Sequence, residues 1–285
     1  MLVRAFAVAL CLTSVALPVT ALTPVTAPAD TMAPMTISEL MTATALDQLF
    51  STFAETIATS PELQGVPLPE DFAETWIETS HAVFKADEMH GALAKAFEDR
   101  FSAAEMAELS TFYRSEFGKH VSAIEAAIQV MSADEQMAAR DEGLALLDEA
   151  GAEAKRSTQI DEIMVLVSAE VGRTMLGQAM RAMMVSMAMS GASGDIEVPW
   201  SEIDAQLAAM LPGLEAEVTA TQRALMAYAY KDLSDTELDR YIEFLRTDVS
   251  QKFYAVLGYS VGAILEKSMG TFGQELAYRL NRVNV

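Results

Sequence analysis

The chain has 285 residues, of which 51% are hydrophobic, 21% charged and 7% aromatic, enough length and apolar content to bury a sizeable core and to exclude disorder throughout. With 41 acidic against 19 basic side chains the formal net charge is -22. That field repels phosphate backbones and anionic headgroups, which disfavours nucleic-acid and lipid-surface roles and leaves cationic or neutral partners.

Arg4 precedes an uncharged apolar run from Ala5 to Val19, and Val19-Thr20-Ala21 places small side chains where a signal peptidase reads them. Residues 1–21 are therefore expected to be a cleaved secretory signal. The run is shorter than the roughly 20 residues a bilayer core requires, and no transmembrane segment is expected after cleavage. Cleavage would remove Cys11, the only cysteine, so thiol nucleophiles, thiolate metal sites and disulfides are not expected in the exported chain. Residues 22–35, with Pro24, Pro28 and Pro34 and little to bury, are expected to form a flexible tether.

From Thr36 onward apolar residues recur at helical spacing. Thr36-Ile37-Ser38-Glu39 opens the first segment with a capping box, and Leu46, Leu49, Phe50, Phe53 and Ile57 form its stripe. Ser60-Pro61 and the Gly65–Pro69 stretch interrupt it, and a second helical region runs to about Arg100. Phe101-Ser102-Ala103-Ala104-Glu105-Met106 then combines a capping box, Ser102 with Glu105, and a hydrophobic staple, Phe101 with Met106.

The same arrangement returns at Leu233-Ser234-Asp235-Thr236-Glu237-Leu238, with Ser234 lying 132 positions after Ser102 (234 − 102). At that offset Val66-Pro67 falls on Val198-Pro199, Glu70 on Glu202, Ala92-Leu93 on Ala224-Leu225, and Phe112 with Arg114 on Phe244 with Arg246. An internal duplication is expected: residues 36–150 as one helical repeat and 159–285 as the second, joined through a helix from Ser132 to about Ala150 and a boundary at Gly151–Thr158. The expected fold is all-α, a helical bundle built from two related units of about four helices each, packed as one body. Pro212-Gly213 is expected to break the middle of the second unit, with the equivalent break near Ser80 in the first. The uncharged stretch from Phe253 to Leu265 is expected to be a buried central helix.

Constellations that would carry chemistry are sparse. Glu78-x-x-His81 and Asp87-x-x-His90 have the spacing of carboxylate-bridged metal helices, but His81 and His90 stand about 900° of helical rotation apart and would not converge. His120 is the third histidine. The sequence contains neither a nucleophile elbow nor a phosphate-binding glycine loop, so no catalytic residue and no cofactor are assigned and the chain is expected not to be an enzyme. Methionine is the compositional oddity, 18 in all, with a cluster from Met175 to Met189. Met180, Met183, Met184 and Met187 share one helical face and are the candidates for an alternative role in binding Cu(I), since thioethers are soft ligands. Flexible thioethers also fill cores and line grooves, and Met183, Met187 and Tyr241 are the candidate lining of a groove for an apolar ligand or peptide.

The string from Phe101 to Lys119, with Glu105-Met106, Leu109, Phe112-Tyr113, Ser115 and Gly118-Lys119, resembles the signature of the bacterial exported family called domain of unknown function 2059. The second repeat departs from it, with Leu245 in place of the tyrosine and Ser250-Gln251 in place of Gly-Lys. The resemblance implies a small exported α-helical protein and carries no assigned activity, cofactor or site residue. The expected function is that of an exported, periplasmic, non-enzymatic binding or envelope-interaction protein whose partner is an unidentified protein or apolar ligand.

Overall fold

A computed structural model describes residues 33–59, 70–151, 154–167, 181 and 200–283, and among these every regular element is an α-helix. The expected signal, nearly all of the expected tether and the Met175–Met189 cluster lie outside the described residues. Helices α1 (Ile37–Ala43) and α2 (Leu46–Thr59) are followed by α3 (Glu70–Val83), α4 (Ala86–Glu98), α5 (Ala103–Tyr113), α6 (Glu116–Gln129) and α7 (Ala133–Ala150). Helices α8 (Lys155–Leu166), α9 (Trp200–Ala229), α10 (Asp235–Leu245) and α11 (Asp248–Val283) complete the described fold. None of them is long and apolar enough to cross a membrane.

The local signals act as expected at the helix starts. Thr36, Ser102, Ser132 and Ser234 each accept from the amide three residues on, while Glu39, Glu105, Glu135 and Glu237 reach back to the cap amide. Each reciprocal pair satisfies donors that a helix start leaves open. Between α1 and α2 the chain turns at Thr44-Ala45, where Ala45 takes a positive φ of 47° and the Thr44 hydroxyl donates to the Leu40 carbonyl at 2.8 Å. The single segment expected from Thr36 to Ile57 is thus two helices, although its stripe of Leu46, Leu49, Phe50, Phe53 and Ile57 is buried throughout.

The expected breaks fall elsewhere. Helix α9 runs unbroken through Pro212. The amide that proline lacks would have bonded the carbonyl of Ala208, and both residues are exposed, so water can take that carbonyl. In the first half the helix continues past Ser80, whose hydroxyl donates to the Trp76 carbonyl at 2.8 Å, and ends only at Phe84-Lys85.

Helix α11, about 54 Å long at 1.5 Å per residue, is the spine of the bundle, packing on α3, α4, α5 and α10. Near its C-terminal end Phe272 meets Trp76 edge-on at 4.7 Å and lies 5.4 Å from Phe84, while the Trp76 indole donates to the Ile57 carbonyl at 2.9 Å. Its uncharged stretch is not buried on every side: Phe253, Tyr254, Val261 and Leu265 are interior, but Tyr259 is 78% exposed. Lack of charge overstated burial there.

Helices α5 and α10 resemble each other. Each has 11 residues, begins at the same Ser–Glu box and ends at an arginine, Arg114 or Arg246, in the right-handed helical region. Each arginine reaches a glutamate on a flanking helix: Arg114 to Glu39 of α1 at 3.5 Å, and Arg246 to Glu162 of α8 at 2.5 Å. Helix α1 packs on α4 and α5 as α8 packs on α9 and α10. The rings of Phe112 and Phe244 stack on each other with centres 3.5 Å apart and planes within 3° of parallel. Upstream the halves diverge, since α3 and α4 are two helices where α9 is one.

Helices α7 and α9 approach each other closely at Gly143. A Cβ on Gly143 would lie 1.9 Å from the Ala224 carbonyl oxygen, so only glycine admits this approach, whereas a Cβ on Gly213 would meet nothing within 4 Å. Gly143→Ala is therefore expected to destabilise the protein by about 1–3 kcal/mol through overpacking. Gly213→Ala should stabilise it by up to about 1 kcal/mol through helix propensity. Urea denaturation of both variants checks the opposite signs.

Candidate functional site

Helix α6 carries one carboxylate on its inward face. Val121 and Ile128 are buried on that face, and Glu125 stands between them at helical spacing. Its Oε1 accepts from the Tyr230 hydroxyl at 2.6 Å and from the Tyr241 hydroxyl at 2.7 Å. The Tyr241 and Tyr254 hydroxyls are 3.5 Å apart, and Tyr254 is in turn hydrogen-bonded to Tyr113. One carboxylate and four phenols, from α5, α6, the turn after α9, α10 and α11, thus form a continuous polar cluster inside an apolar core.

Glu125 as a residue is only part-buried, but its carboxyl end points inward among the rings. Loss of water there raises its pKa to about 7, against the opposing effect of the two phenol donors. Burial, reinforced by the Glu125 charge, also pushes Tyr113, Tyr241 and Tyr254 upward, so these phenols remain donors across the physiological range. Arg156 donates to the main-chain carbonyls of Tyr230 and Leu233.

A second feature lies between α7 and α9. A shallow cleft of about 550 Å³ is lined by Leu144, Ala145, Leu147, Asp148, Gly151 and Arg223. Arg223 is engaged by Asp161 through two hydrogen bonds of 2.5 and 3.1 Å, which hold its guanidinium above its ordinary pKa. A third feature is the surface pair Glu105–Lys252 at 2.6 Å, with the ammonium 5.1 Å from the Phe101 ring centre. Lys252 and the Ser102 cap together hold the Glu105 carboxyl down at about 2.

The groove candidates are not brought together among the described residues. Tyr241 is 2% exposed and belongs to the interior cluster, so it lines no accessible surface. Met183 and Met187, like the other Cu(I) candidates Met180 and Met184, lie outside the described residues. His81 and His120 are exposed, and His90 is part-buried with its Nε2 unpartnered. Among the described residues no three His, Cys, Asp or Glu side chains are grouped to hold a metal ion. Glu125 was missed because one carboxylate in an acid-rich chain draws no attention. The available signal was its place on an otherwise apolar helical stripe between Val121 and Ile128.

An all-α chain with a carboxylate enclosed by tyrosines is a class defined by architecture rather than by chemistry. Residues 87–145, from the start of α4 into α7, match the profile of a family described as uncharacterized protein conserved in bacteria (DUF2059). This is the resemblance that Phe101–Lys119 carries, and Glu125 lies within the matched segment. Neither the search of curated proteins nor that of solved structures returned a match.

Removing a donor from the cluster tests its energetics. Tyr241→Phe leaves Glu125 one donor short inside the core and is expected to cost about 1–3 kcal/mol at neutral pH. Tyr254→Phe, whose hydroxyl stands off at 3.5 Å, should cost less. Chemical denaturation of the two variants under one buffer condition makes the comparison.

Proposed function

We propose that the chain is exported to the periplasm and acts there by binding rather than by catalysis, offering the α7–α9 face to a basic, amphipathic protein segment. The observation that carries this reading is the α7–α9 cleft with the apolar side chains beside it: Leu144 is 46% and Met137 36% exposed, seven residues apart (144 − 137) on one helical face. Large apolar residues aligned on a helix at a cleft mark a contact surface more often than isolated ones do.

The charge around them specifies the partner. Helix α7 carries Asp134, Glu135, Asp141, Glu142, Asp148 and Glu149 against a single Arg140, and the cleft's own cation is already neutralised by Asp161. An apolar strip bordered by carboxylates suits a helix with one apolar and one basic face, with steering by the overall charge of -22. The signal-like residues 1–21 support an envelope location.

Titrating the purified protein with a designed basic amphipathic peptide tests the binding step. Binding should weaken as salt rises, through screening, and Leu144→Asp should reduce affinity at least about tenfold, the scale of one lost apolar contact. Salt-independent binding, or an unaffected Leu144→Asp variant, would refute the assignment of this face. Fractionation of cells expressing the full chain tests the location: recovery of an uncleaved protein in the cytoplasm would refute export.

A further inference from the structure

We propose that Glu125 is a proton-operated latch between helix α6 and the corner formed by the end of α9 and by α10, closed when its carboxyl is protonated and loosened when it ionises. The proposal concerns the fold's own opening equilibrium and does not depend on the α7–α9 face binding anything.

The geometry is that of a latch because one atom joins separate elements. Oε1 takes both the Tyr230 and the Tyr241 hydrogen bonds, at 2.6 and 2.7 Å. A proton on Oε2 leaves Oε1 able to accept both of those bonds. The titratable groups that face the carboxyl are Tyr113 from α5, Tyr230 from the end of α9, Tyr241 from α10 and Tyr254 from α11. All are phenols, those of Tyr113, Tyr241 and Tyr254 held above their ordinary pKa by burial, and no lysine or arginine among the described residues forms an ion pair with Glu125. A charge arriving there gains two phenol donors but no counter-ion, and the rings around it exclude much of the water it needs.

The bundle does not require these polar groups. At the offset of 132 positions that matches α5 to α10, Glu125 corresponds to Leu257, Tyr241 to Leu109, Tyr113 to Leu245 and Tyr254 to Ser122. Leu109 and Leu245 are fully buried and Leu257 packs against the same core. Leucines fill three of the five corresponding positions of the other half, with Ser122 and, opposite Tyr230, Glu98 at the other two, and a buried polar network is commonly replaceable by apolar residues at no cost in stability. The cluster is thus a one-sided feature of the molecule.

The sign of the pH dependence follows from the raised pKa. Glu125 titrates at about 7 in the folded chain against 4.5 for an unperturbed glutamate. Its stabilising proton is fully present below about pH 4.5 and lost as pH rises through about 7. The difference corresponds to an opening equilibrium up to about 300-fold more favourable once the group is ionised. Glu105, held down at about 2, has the opposite sign and acts only in acid, so it does not overlap this window. Helix α6 ends in Ile128, which packs with Ala139 of α7 and Leu225 of α9, so a loosened α6 is felt at that junction.

Hydrogen exchange of the full chain from about pH 5 to about pH 8.5, corrected for intrinsic chemical exchange, tests the latch. Amides of α6 and α10 should open increasingly from about pH 5 and level off above about pH 7, by up to about 75-fold over that window, while Glu125→Gln should be flat across that range. Imidazoles in general titrate nearby, so a pH response retained in Glu125→Gln would assign the effect to another group and overturn the proposal. A carbon NMR titration of the Glu125 carboxyl supplies the second readout, and a midpoint in the ordinary carboxylate range would also overturn it. Should Glu125→Gln not fold, Glu125→Leu, which places the residue of position 257 at position 125, carries the same prediction.

Discussion

Helices α5 and α10 meet where Phe112 stacks on Phe244. The two rings lie 3.5 Å apart and nearly parallel, at the ends of helices that share caps, length and register. Tyr113 meets Phe244 edge-on at 5.7 Å, and Glu105 of α5 pairs with Lys252 of α11, while Glu237 of α10 is held below the usual carboxylate range by its cap and, in smaller part, by His120 at the start of α6. Position 120 is the counterpart of position 252.

This interface also places Glu125. Helix α6 is fixed by the turn after Arg114, where the Ser115 hydroxyl accepts from the Gly118 amide and a Cβ on Gly118 would lie 2.0 Å from the Phe112 carbonyl oxygen. The same turn recurs before α11, with Thr247 accepting from the Ser250 amide. From these two turns α6 and α11 enter the core, one carrying Glu125 and the other Tyr254, and α10 brings Tyr241 between them. With no cysteine among the described residues, packing and these few polar contacts hold the helices together, and the exposed ion pairs add little individually.

What the sequence revealed was what local chemistry decides. Each Ser–Glu or Thr–Glu box became a helix start because the cap acts within four residues and needs no partner. Residues 101–119 carried the family resemblance for the same reason. Pro212 misled because the carbonyl it leaves unbonded is exposed to water, and exposure is not written in the local sequence. Tyr241 was assigned to a groove because periodicity places a residue on a face without saying whether the face is covered. Ala45 escaped because a left-handed alanine between two helices has no compositional mark. Glu125 escaped because its meaning depends on tyrosines 105 and 116 residues away in the chain.

A double-mutant cycle on Phe112 and Phe244, with each residue replaced by alanine singly and together, measures the central contact most directly. If the two rings join the halves, the cost of removing both falls short of the sum of the single costs by about 0.5–1.5 kcal/mol, the worth of an aromatic pair beyond its buried area. Strictly additive losses would mean that the two phenylalanines act independently and that the halves are held together elsewhere.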